Sequence, residues 1–165
     1  MYFVFDRFGA HHPCRWITNY PYVRGLKWQS GARLTVAVPS PLRISLDPLN
    51  RSSADHGPEL PEYFKGTIPL FRDDLLDAMA SAGVENLERF DVVLQDPDDG
   101  RAHANYKAVN IVGLIPAASV KEQRGLILRL AEATGTILVH ERLRDHLRAK
   151  GFDKLEFLQL AEAAV

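Results

Sequence analysis

Very little in this chain is marked for chemistry. It has one cysteine, Cys14, so no internal disulfide framework exists. It has no surplus of either charge: 20 lysines and arginines stand against 21 acids, a net charge of -1. Nucleic-acid binders normally show a basic patch or stripe, and this balance gives no such footprint. No stretch approaches the roughly 18 apolar residues needed to span a bilayer. The opening MYFVFDRFG carries Asp6 and lacks a long apolar run, so it does not read as a signal peptide. A cytoplasmic protein is the expectation. Also missing are a glycine-rich phosphate loop with its lysine and a G-x-S-x-G elbow. DPDDG (96–100) lacks the alternating ligands and distal glutamate of a calcium loop.

What is present suits an ordinary globular domain. The 165 residues, 46% apolar and 25% charged, are enough for one domain with a real core. YFVFD (2–6) reads as a strand, from its aromatic and β-branched residues. Residues 7–32 show no clean period and suggest a long irregular segment pinned by Trp16 and Trp28. Alternation predicts a second strand over 34–38 and a third within LRISLDP (42–48). Residues 50–66, dense in Ser, Asp, Gly and Pro, read as a loop and a possible lobe boundary. YKAVNIVGLI (106–115) reads as one antiparallel strand, with a bulge or close approach at Gly113. SVKEQRGLILRLA (119–131) is ambiguous: Ser119 and Glu122 resemble a capping box, while the alternating leucines argue for a strand. A short turn or helix followed by a strand is the favoured reading.

One pattern occurs twice. LFRDDLLDAMASAGVENLERF (70–90) returns sixty-eight residues later as LVHERLRDHLRAKGFDKLEFL (138–158). Leu75 matches Leu143, Met79 matches Leu147 and Gly83 matches Gly151. Each copy predicts an extended piece, a short helix with an apolar stripe, a glycine cap and a strand. Every matched residue suits a core or a cap, so the repeat is read as architecture. The expected class is α+β: a mostly antiparallel sheet carrying short helices, built around two similar strand-helix-Gly-strand units. Tyr106 and Asn110 are placed with the structural residues.

Candidate sites are sparse. His11, His12 and Cys14 lie close together, but there is no second cysteine cluster to complete a zinc site. His140 and His146 are six apart, which is not the i, i+4 spacing of a helical metal pair. No metal or cofactor is expected. Asp73 with Asp74, and Asp98 with Asp99, have plain explanations in a helix start and a turn. Arg142, Arg144, Arg148 and Lys150 interleave with acids and read as a solvated helix face, with an acidic partner's docking surface as the other reading. Trp16, Tyr20, Tyr22, Arg24, Lys27 and Trp28 form an aromatic and basic mix. Such residues anchor interfaces, and they also tie irregular segments to a core. Both readings stay open. Loops 11–30 and 50–66 are therefore the candidate partner-binding regions, with Trp16, Tyr20, Tyr22, Arg24, Trp28, Asp55 and Glu59 as the residues.

VHERLRDHLRAKGFDKLEFLQL (139–160) resembles the C-terminal segment of the Imm11 immunity proteins, the family formerly described as DUF1629. IPLFRDDLLDAMASAGVENLERFDVVL (68–94) looks like that family's earlier segment of the same kind. YKAVNIVGLIPA (106–117) resembles its Y-x-x-L-N-x-L strand through Tyr106, Val109, Asn110 and Val112. The resemblance covers roughly residues 42–160 and implies a strand, a turn and the next strand over ILRLAEATGTILVHE (127–141). The family's helix-capping serine falls at Arg72 and His140 here; neither is a good N-cap, so Asp73, Glu141 or a neighbour is expected to satisfy the free amides. The resemblance implies a bacterial, non-enzymatic protein that binds and neutralises a cognate toxin. A small cytoplasmic enzyme with a loop-borne site drawn from His11, Asp99 and His103 is the alternative, and a homo-oligomer paired through a sheet edge is a third.

Overall fold

A computed structural model describes residues 1–8 and 12–160. In chain order the strands are β1 (Tyr2–Phe8), β2 (Leu42–Ser45), β3 (Tyr63–Phe64), β4 (Leu70–Arg72), β5 (Leu87–Gln95), β6 (Ala102–His103), β7 (Tyr106–Ile111), β8 (Leu114–Ile115), β9 (Ile127–Leu130), β10 (Ala133–His140) and β11 (Leu155–Gln159). The helices are α1 (Asp73–Ser81) and α2 (Glu141–Ala149), with a single 3₁₀ turn at Ala117–Ser119. The protein is α+β, and its strands pair mainly antiparallel. They form two sheets rather than one: β2-β5-β7-β4-β3, with β6 beside β5, and β11-β1-β10-β9-β8. The parallel pairs are β2 with β5 and β8 with β9.

The repeated stretches fold alike. α1 buries Leu75, Leu76 and Met79, and α2 buries Leu143 and Leu147, all in one shared core with Phe5, Phe71, Val109, Ile137 and Val139. Burying one such leucine is worth about 1.5–3 kcal/mol. The helix exits match atom for atom. Gly83 and Gly151 take positive φ, +98° and +92°. The next amide reaches back five residues, Val84 to Met79 and Phe152 to Leu147, both at 3.1 Å.

The likeness extends to a strand that the sequence repeat does not contain. In the first unit β7 lies between β4 and β5, with Tyr106 opposite Arg72 and Ala108 opposite both Leu70 and Phe90. In the second unit β1 lies between β10 and β11, with Tyr2 opposite His140 and Val4 opposite both Leu138 and Leu158. The registers coincide from Tyr2 to Asp6, after which a bulge before Phe8 shifts the second unit by one residue. The first unit thus takes its central strand from just downstream, and the second takes its own from the N-terminal strand.

Several expectations are corrected. No strand forms over 34–38. Leu34 N–H donates to Glu88 Oε1 at 2.9 Å, Leu34 and Val38 settle into the second core cluster, and Val36 faces out. Alternation there came from a chain lying flat on a sheet, not from one joining it. The stretch 106–115 is two strands. Gly113, at φ +132°, bends the chain out of one sheet, and β8 continues in the other. A Cβ at Gly113 would stand 2.6 Å from Leu128 Cδ2, so the expected close approach is present. Ser119 and Glu122 form a turn, Glu122 N–H to Ser119 O at 3.1 Å, rather than a helix N-terminus. The loop 50–66 contains the short strand β3. His140 does cap α2: its Nδ1 accepts from Arg142 N–H at 3.2 Å. At α1, Asp74 rather than Asp73 turns its carboxylate to a helix amide, that of Leu75 at 2.9 Å, while Asp73 pairs with Lys107 at 3.0 Å.

Candidate functional site

The face of the first sheet opposite α1 is covered by irregular chain. Residues 15–41 contain no helix or strand. Prolines at 21, 39 and 41 withhold amide donors, and Gly25 and Gly31 take φ of +85° and +73°. This strap is nevertheless held along its length. Arg15 N–H bonds Glu59 O at 2.8 Å, and Gly57 N–H bonds Cys14 O at 3.1 Å. The Arg15 guanidinium, buried, meets Asp96 at 2.9 and 3.2 Å, Asp98 at 2.9 Å and the Asp47 carbonyl at 2.9 Å. Further along, Arg129 Nη2 donates to Trp28 O at 3.0 Å, Gly113 N–H to Gly31 O at 2.8 Å and Asn110 Nδ2 to Ala32 O at 2.9 Å.

Electrostatics follow from this burial. Burial alone would push the Asp96 carboxyl up, but hydrogen bonds from Arg15 and the Asp98 amide prevail and hold it below the usual carboxylate range. Tyr20, half-buried against Gly66 and near Asp47, has its hydroxyl pushed up to about 12. Arg129 is 1% exposed and donates to two backbone carbonyls, Trp28 O and Thr134 O. Burial lowers its pKa.

The sequence candidates separate into three groups. Trp28 is removed from the partner-binding set: it is 5% exposed, edge-on to Phe90, and its carbonyl is bound by Arg129. Trp16 stacks on His56, and Asp55 and Glu59 flank the same strip, with Glu59 paired to Lys154. Tyr22, 86% exposed, and Arg24 face outward at the far end of the strap. Tyr106 and Asn110 are buried. Tyr106 Oη donates to Pro61 O at 2.6 Å, and buried Asn110 joins Glu88 at 2.7 Å and fastens the strap. His11 lies outside the described residues. Asp99 accepts from the Arg101 amide at 2.8 Å within its own turn, and His103 lies on β6. Among the described residues no group of three or more His, Cys, Asp or Glu is placed to hold a metal ion.

The sequence reading missed the junction between the two sheets. There the α1 exit (Gly83–Asn86), the sheet switch (Val112) and the stretch 124–128 enclose a groove of about 420 Å³, rimmed by Arg33 and Arg124. Arg33 also lines a recess of about 310 Å³ with Lys27 and Gly25. Asn86 Nδ2 spans the groove floor, donating to Val112 O and Ile127 O, each at 2.8 Å. Leu114, 45% exposed, sits over Gly31. No periodicity announces such a place, because its residues come from four separate stretches of chain. No protein-family model matches the sequence, and no curated protein is significantly similar to it. Among the described residues no helix is long and apolar enough to cross a membrane.

Proposed function

We propose that this chain is a non-enzymatic immunity protein, acting in the cytoplasm, that binds and neutralises a cognate bacterial toxin without a cofactor. The contact surface in this reading is the outer side of the strap together with the groove between the two sheets. The observation that carries it is the strap itself. A segment without regular structure is fixed by a buried ion pair and backbone bonds, yet presents Tyr22, Arg24, Lys27, Arg33 and Val36 to solvent. A pre-ordered surface binds without the entropy loss of ordering a loop. Aromatic and arginine side chains are the common anchors of protein interfaces. The resemblance of 42–160 to the Imm11 family supplies the kind of partner.

The test is co-expression with the product of the adjacent gene. A stable one-to-one complex and rescue of growth are expected. Replacing Tyr22 with alanine should weaken that complex by at least about tenfold, the scale of an interface anchor, without changing stability. Neither complex nor rescue would sink the reading.

A further inference from the structure

The groove between the two sheets has the chemistry of a site for one kind of partner surface. We propose that it receives an extended, acidic segment of the partner protein, with an apolar side chain on the groove floor and carboxylates against Arg33 and Arg124. This rests on the binding role proposed above and specifies the chemistry of what is bound.

Three observations carry it. The first is unspent positive charge. Arg33 is 76% exposed, and the nearest carboxylate, Glu88, lies 3.9 Å away with its other oxygen already bonded to Asn110 and the Leu34 amide. Lys27 and Arg124 are exposed and make no ion pair among the described residues. The acid that lines the groove is Glu85. Two arginines of α2 differ: Arg144 pairs with Asp145 and covers the Phe3 ring at 4.1 Å, and Arg148 lies over Phe157, while Arg142 and Lys150 on that face are exposed.

The second observation is the floor. Val84, Leu126 and Leu128 give it apolar character. A volume of about 420 Å³ accommodates a few side chains, not a folded lobe. The third is rigidity: bonds from Gly113 to Gly31 and from Asn110 to Ala32 fix the strap just before Arg33. A rim of one charge sign favours acidic partners and rejects like-charged ones.

The probe is a short synthetic peptide of glutamate and aspartate bearing two leucines, titrated into the isotopically labelled full chain and followed by NMR. Expected are shift changes confined to Arg33, Gly83–Asn86 and 124–128, with affinity falling on the order of tenfold between about 50 and about 300 mM salt. Arg33→Glu with Arg124→Glu should abolish the response and leave the melting temperature unchanged, since both side chains are exposed. An equal response to a lysine peptide, shifts mapping to α2, tighter binding of single-stranded RNA, or no response overturns the inference. The partner experiment separates the two readings. A toxin that binds wild type and the double variant equally leaves the immunity role standing and removes the groove. A groove that takes the acidic peptide while no toxin binds does the reverse.

Discussion

Asp96→Ala should be among the most damaging single changes to the strap, and the structure says by how much. Asp96 and Arg15 are both buried, and removing one partner of a buried pair leaves an uncompensated charge, at a cost of about 3–5 kcal/mol. Asp98, half-exposed, also lies 2.9 Å from Arg15 and stays behind, which places the expected loss near the low end, about 3 kcal/mol. For a chain of this length that is a fall in melting temperature of roughly 6–12 °C. Asp98→Ala, which removes the exposed partner, should cost less than about 1 kcal/mol. Arg15→Met with Asp96→Leu, which removes both buried charges, should recover most of the loss. Differential scanning calorimetry measures all three. Hydrogen exchange should show the Asp96 variant losing protection at the amides of Arg15 and Asp47. The pH dependence has a definite sign. The folded carboxyl of Asp96 lies below its unfolded value, so its stabilisation is complete above about pH 4 and is lost as pH falls through the folded value. The paired replacement should lose that acid-side decline. Equal melting temperatures for the Asp96 and Asp98 single variants would refute the reasoning.

Other consequences can be checked the same way. Gly113→Ala adds a Cβ 2.6 Å from Leu128 Cδ2 at positive φ, and should cost at least about 1–2 kcal/mol in chemical denaturation. Leu147→Ala and Met79→Ala empty matched places in one core, so each should cost about 2–5 kcal/mol, with similar denaturant slopes. Burial, aided by the nearby N-terminal amino group, lowers the His140 pKa, so stability should decline as pH falls from the ordinary histidine range through the folded value. His140→Asn keeps a capping acceptor and should flatten that decline in a pH series of thermal melts.

The legible parts of the fold were those with local period and punctuation. Leu75 with Met79, and Leu143 with Leu147, follow helical spacing, and Gly83 and Gly151 follow the rule for helix exits. Leu34, Val36 and Val38 misled because alternation also arises in a chain that lies across a sheet. The break at Gly113 was visible as a close approach but not as a change of sheet, since pairing partners are set by distant chain. The same holds for the site. Tyr22 and Arg24 were legible as part of an aromatic and basic mix but not as its exposed part, and Trp28 was not separable from them, because burial depends on Phe90 and Arg129, far off in sequence. Arg33 and Arg124 meet across the groove only in three dimensions.

The placement of β1 has a mechanical consequence. Whatever separates the two halves must first draw Tyr2–Phe8 out from between β10 and β11, where both of its edges are hydrogen-bonded. A protease cut in the exposed stretch 121–124 would therefore leave two fragments clasped together, the first holding the middle strand of the second. Heat should melt the intact chain in a single transition, and the nicked protein should still elute at the mass of the whole. Closure of the second half must also wait for strands more than a hundred residues apart to meet, the kind of distant pairing that slows folding.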